Sequence, residues 1–150
     1  MKSRFYFSIV IPAHNESASI EHTLRAVLQQ SYPHFEVIVV DNLSTDNTVA
    51  VVERIATTDS RVRIVSCTRK GILHARDAGY HAAKGDIIVQ LDANAFPRNR
   101  EWLTRAAYYF ENKTVVAIAG PYDLYDARPT FRWGALVSLR VVFPALNWFV

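Results

Sequence analysis

At 150 residues, with half of its side chains apolar and 21% charged, the chain has the balance of one globular domain, which excludes fibrous, low-complexity and disordered classes. The net charge of +3 is modest and arginine outnumbers lysine without clustering, so no nucleic-acid partner is expected; the surplus suits an anionic ligand or an acidic membrane face. Cys67 is the single cysteine, which excludes an intrachain disulfide, favours a reducing cytoplasmic setting and reads as a small buried side chain near a strand end.

Met1 to Arg4 leads straight into FYFSIVI (Phe5 to Ile11), so no secretory leader is expected. That run is apolar and β-branched and ends at Pro12, as a buried first strand does. After the turn PAHNES, Asn15 or Ser17 can cap a helix whose apolar residues Ile20, Leu24, Val27 and Leu28 share one face before Pro33 stops it. FEVIVV (Phe35 to Val40) is the second strand and delivers Asp41 to its carboxyl end. Ser44 and Thr45 offer caps for a second helix, with Val49, Val52 and Ala56 on one face. RVRIVS (Arg61 to Ser66) alternates charged and apolar residues, which suits an edge strand.

The third helix carries a stripe of small residues, Ala75, Ala78, Gly79 and Ala82, which lets it lie close on a sheet. Gly85 is expected as its left-handed C-terminal cap. GDIIVQLDAN (Gly85 to Asn94) then reads as a buried strand that delivers Asp92 to its carboxyl end and breaks into a polar turn. Pro97 is expected in the first turn of a fourth helix, and VVAIA (Val115 to Ala119) as a fifth strand. Strands alternating with helices over short connections predict an α/β fold: a mostly parallel sheet with helices on both faces. One domain over residues 1–125 is followed by 126–150, whose apolar and aromatic stretch FRWGALVSLRVVFPALNWFV (131–150) carries Arg140 and Pro144 and so does not suit a spanning helix. It suits an interfacial amphipathic helix in peripheral contact with a membrane, or a helix packed on a further domain.

In such a sheet, ligands bind outside the carboxyl ends of the strands, where 12–16, 41–46 and 92–94 converge. No glycine fingerprint or P-loop follows the first strand, so a bound phosphate would need another source of positive charge. A divalent cation held by acidic groups at Asp92 would supply it. No histidine or cysteine grouping has ligand spacing for a different metal site, and no G-x-S-x-G elbow is present.

SIVIPAHNESASIEHTLRAVLQQSY, VIVVDNLSTDNT and GILHARDAGYHAAKGDIIVQLDAN, in this order and spacing, together resemble the nucleotide-sugar-binding half of a family 2 glycosyltransferase of the GT-A fold. The resemblance runs from about Phe7 to Asn94 and less distinctly to Gly120. It implies a Rossmann-like GT-A domain that binds a UDP- or GDP-sugar and passes the sugar to an unknown sugar, lipid or protein acceptor, with Mn²⁺ or Mg²⁺ as cofactor. Pro12, Ala13 and Glu16 match the segment lining the nucleoside pocket, with His14 between them; Asp41 matches the base-recognising aspartate, and Asp46 the acid of the same loop. Lys70 and Arg76 face the nucleotide or solvate a helix. Asp92, Ala93 and Asn94 match the D-x-D metal motif, with Asn94 in place of a carboxylate. An amide oxygen brings a dipole where a carboxylate brings a full charge, so metal binding is expected to be weaker, or lost in a degenerate, non-catalytic nucleotide-binding or membrane-docking module. The acceptor segment and general base that the resemblance implies are not found before Val150, so no catalytic base is identified; membrane association at the inner face is expected through 131–150.

Overall fold

The computed structural model describes residues 5–118 and the backbone of 122–124. In chain order the elements are β1 (Phe7–Ala13), α1 (Ile20–Leu28), β2 (Phe35–Asp41), α2 (Thr48–Ala56), β3 (Val62–Ser66), α3 (Ile72–Ala82), β4 (Ile87–Gln90), β5 (Ala95–Pro97), α4 (Trp102–Phe110) and β6 (Tyr122–Leu124). Four strands form a parallel sheet in the order β3-β2-β1-β4, and β5 pairs antiparallel with β6 in a second, two-stranded sheet.

β1 is central and buried along its whole length, so both of its faces need apolar cover. Phe7, Ile9 and Ile11 join Ile20, Leu24, Val52, Ile55 and Leu103 in one core, which places α1, α2 and α4 on one face. Val10, Ile38 and Val40 join Ala75 in a second core under α3 on the other. The two cores follow from the period-2 alternation of strand side chains. On the α3 side the fit is tight: a Cβ on Gly79 would lie 2.2 Å from Val10 Cγ1 and 3.0 Å from Val40 Cγ2. β3 lies at the sheet edge, as its charge alternation predicts, and Cys67 is buried just beyond it.

Several expectations are corrected. Asn15 and Ser17 do not cap α1, whose N-cap is Ser19, and Asn47 rather than Ser44 or Thr45 precedes α2. The buried stripe of α2 is Thr48, Val52 and Ile55. Gly85 has no left-handed backbone; a side chain there would meet the Tyr6 carbonyl oxygen and the Ser8 amide nitrogen at 2.6 Å, so glycine is required by close approach. Pro97 belongs to β5, and α4 begins at Trp102, where Gln30 Oε1 accepts from the Leu103 amide. Val115 to Ile118 form no strand: Asn112 accepts from the Val115 amide in a turn, and Val116 is exposed. The segment 131–150 and the boundary near 125 lie outside the described residues.

Candidate functional site

Register puts Ala13 and Asp41 side by side at the carboxyl edge of β1 and β2. The loops that follow are laced together. Asn15 takes a left-handed φ of 58°, donates from its amide to Ser44 Oγ at 3.0 Å, and accepts from the Thr45 amide at 2.7 Å through Oδ1. Glu16 donates its amide to Thr48 Oγ1 at 2.8 Å, and Ser17 donates to Asp46 Oδ2 at 3.1 Å. The other oxygen of Asp46 accepts from the Thr48 amide and hydroxyl. The Thr48 hydroxyl, followed by the bonds from Ser17 and the Thr48 amide, holds this carboxyl far below the usual aspartate range despite an opposing desolvation cost. Leu43, exposed with φ at 63°, carries backbone strain of roughly 1–3 kcal/mol for a bulky side chain.

Asn42, buried beside Asp41, organises the third wall. Its amide nitrogen donates to the Cys67 carbonyl at 3.2 Å and the Arg69 carbonyl at 2.7 Å, and its Oδ1 accepts from the Gly71 amide at 2.7 Å. One side chain thereby fixes residues 67–71 and the entry to α3, where Gly71 adopts φ of 126°. The Asn42 backbone carbonyl lies 2.8 Å from His14 Nδ1. A carbonyl only accepts, so Nδ1 carries the proton and a neutral His14 keeps Nε2 as an acceptor. On the fourth side, buried Thr23 on α1 donates to the Ala93 carbonyl at 2.8 Å, and the Ala95 amide donates to the Asp92 carbonyl at 3.0 Å. The turn after β4 is thus tied to the first helix of the chain.

These loops enclose a cavity of about 380 Å³ at the carboxyl edge. Of the residues singled out from the sequence, Pro12, Ala13, His14, Glu16, Lys70, Asp92 and Asn94 line it. Asp41 is half-buried outside the lining, where Oδ1 accepts from the Ser44 amide at 3.3 Å. Arg76 is also outside it but reaches Asp92, with Nη2 3.3 Å from Oδ1. Asn42 was not singled out; its sequence signal is only its position beside Asp41 at the end of β2.

Among the described residues no group of three His, Cys, Asp or Glu side chains could hold a metal ion by itself. Asp92 and Asn94 bring hard oxygen donors to the cavity, which fits a Mg²⁺- or Mn²⁺-type ion that takes one or two protein oxygens and completes its shell with phosphate.

A parallel sheet that gathers a cavity at its carboxyl edge, with an aspartate-bearing turn after the fourth strand, is the architecture of GT-A glycosyltransferases. The chain belongs to glycosyl transferase family 2, whose profile matches residues 8–147. It is similar to Glycosyltransferase AglE of Haloferax volcanii, with 28% identity over 97% of this chain and 52% of the relative. Among solved structures it resembles the mannosyltransferase PcManGT from Pyrobaculum calidifontis in complex with GDP-Man and Mn²⁺, with 32% identity, a TM-score of 0.75 and coverage of 89% of this chain and 39% of that one. It also resembles S. aureus TarS 1-349 in complex with UDP-GlcNAc, with 27% identity, a TM-score of 0.64 and coverage of 71% and 31%. The chain spans about half the length of AglE and less of these two structures. No helix among the described residues is long and apolar enough to cross a membrane.

Proposed function

We propose that the chain binds a nucleoside-diphosphate sugar, UDP- or GDP-linked, and forms the donor-binding part of a glycosyltransferase that passes the sugar to a sugar, lipid or protein acceptor with help from Mn²⁺ or Mg²⁺. The observation that carries this reading is the cavity where the loops after β1, β2 and β4 converge, with Asp92 exposed in its wall. Pro12 and Ala13 offer the nucleoside an apolar, rigid wall, and His14 Nε2 offers an acceptor to a base N–H. Asp41 reads the base from the end of β2, and Glu16 closes the mouth from the loop above. Lys70 and Arg76 bring positive charge to the diphosphate, while Asp92 and Asn94 hold the cation. When bound, the cation supplies Lewis-acid neutralisation of the departing diphosphate. The chain's own contribution is to hold the donor in one orientation on a rigid sheet edge.

Isothermal titration with UDP, GDP and CDP, each with and without Mn²⁺, tests the reading. Binding of UDP or GDP that strengthens with Mn²⁺ is expected, and silence for all of them sinks it. Asn94 favours a second reading, a non-catalytic nucleotide-binding module, because an amide replaces the expected charge. Donor hydrolysis or transfer by the purified protein excludes that alternative. A cytoplasmic location at the inner membrane face is part of the proposal and rests on the apolar, arginine-bearing stretch 131–150. Liposome flotation of the chain with and without that stretch checks it.

A further inference from the structure

We infer that Arg76 competes with the divalent cation for Asp92, so that the cation takes the carboxylate only when a diphosphate arrives to take the guanidinium. The inference rests on the donor-site reading above and adds a binding order to it. Three observations carry it.

The first is an ill-satisfied guanidinium. Arg76 Nη2 meets Asp92 Oδ1 at 3.3 Å, a single long contact between half-exposed side chains. Its Nε is buried without a hydrogen-bond partner. A buried N–H without an acceptor is unfavourable, and a guanidinium fork is best satisfied by two oxygens on one anion. Asp92 does not supply that pairing; a diphosphate carries the oxygens that would.

The second is charge. Asp92 contributes the one carboxylate of the D-x-N turn, Asn94 contributes none, and Arg76 cancels the carboxylate from close range. A divalent ion approaching this turn alone meets a locally neutral pair. The third is ligand count: no group of three His, Cys, Asp or Glu side chains stands ready among the described residues. A cation alone gains too little from the chain to displace Arg76, whereas a cation arriving with a diphosphate brings its own further ligands and a better partner for the guanidinium. Arg76 stays in range because Gly79, one turn further along α3, packs that helix against Val10 and Val40.

Reciprocal coupling follows: the nucleotide must tighten the cation by the same factor as the cation tightens the nucleotide. Mn²⁺ binding to the full 150-residue chain is measured from the free-ion electron paramagnetic resonance signal, alone and with saturating UDP or GDP. In the native protein the nucleotide tightens Mn²⁺ by at least about tenfold, within the usual span of coupling between sites. Arg76→Met and Arg76→Gln each tighten Mn²⁺ alone by about tenfold and shrink the coupling accordingly, whereas Arg76→Lys keeps most of it. If both neutral variants keep the native circular dichroism and leave the affinity for Mn²⁺ alone unchanged or weaker, the competition is refuted. A native coupling below about threefold refutes it without any variant. Nucleotide binding that Mn²⁺ does not affect overturns the Arg76 inference and leaves nucleotide binding standing; no nucleotide binding under any condition overturns the donor-site reading and this inference with it.

Discussion

Thr23 and Ala93 are 70 residues apart in sequence, yet the Thr23 hydroxyl is what holds the carbonyl in the middle of the D-x-N turn. Both groups are buried, so the bond is shielded from water that would otherwise replace it. Thr23→Val keeps the shape and removes the donor, leaving a buried carbonyl unsatisfied. The expected cost is roughly 1–3 kcal/mol in urea unfolding, together with weaker Mn²⁺-dependent nucleotide binding because Asp92 and Asn94 lose their anchor. A native affinity in a destabilised Thr23→Val protein would separate the turn from the site. Asn42→Leu is expected to do more damage, since three bonds to residues 67–71 are lost at once. Asp92→Asn, at an exposed position whose carboxylate meets Arg76, should leave the melting temperature close to native and abolish the Mn²⁺ dependence of nucleotide binding.

Among the elements, α3 links the packing of the sheet to the geometry of the cavity. Its first turn supplies Ile72 and Ala75 to the wall, Arg76 reaches Asp92, and Gly79 lets the helix sit directly on Val10 and Val40. Gly79→Ala places a methyl 2.2 Å from Val10 Cγ1, so either the valine or the helix must move. Overpacking of this kind costs about 1–3 kcal/mol, and a lifted α3 would carry Arg76 away from Asp92. Thermal unfolding and Mn²⁺–nucleotide titration of the variant should therefore both shift; a lower melting point with untouched affinity would show that the valine yields instead. The small-residue stripe was legible in the sequence because helical spacing is a local signal, as were β1, β2 and the edge position of β3. β5 and β6 were not, because each strand is three residues long and their pairing spans about 30 residues. Gly85 shows the same limit from another side: its glycine was visible, but the backbone at the start of β1 that forbids a side chain there is 77 residues away in sequence at Ser8. The site residues at strand ends could be placed because register follows from the alternation, whereas the role of Asn42 depends on three partners that no periodicity announces.

At the scale of the whole molecule, four carboxylates hold their protons more weakly than ordinary acids do, and three of them, Glu21, Glu36 and Asp46, tie separate elements together. Glu21 is lowered first by its hydrogen bond from Arg25, with Arg54 on α2 adding to it. Asp59 is lowered first by Arg61. For Glu36 burial is the largest influence and pushes the other way, but bonds from the Ser8 hydroxyl, the Lys84 amide and Arg63 together outweigh it. Asp46 is lowered first by the Thr48 hydroxyl. Each group therefore stabilises the fold fully above its unfolded value, 4.5 for glutamate and 3.8 for aspartate, and loses that contribution as pH falls through the lower folded value. Below about pH 4.5 the unfolded chain binds more protons than the folded one, so urea midpoints measured at successively lower pH should fall. Salt separates the contributions. The Glu21 pairs with Arg25 and Arg54 are surface pairs and weaken in 1 M NaCl, with a Debye length of about 3 Å. The bonds that Asp46 and Glu36 accept from hydroxyls and amides do not depend on a screened counter-charge. Most of the acid limb should thus survive high salt. Asp46→Asn should lower the midpoint by a constant amount above about pH 5, with the difference from native shrinking as the pH drops below 3.8. A difference that instead grows with acid would show that Asp46 is not the ionised acceptor of the Ser17 and Thr48 bonds that join the loops after β1 and β2.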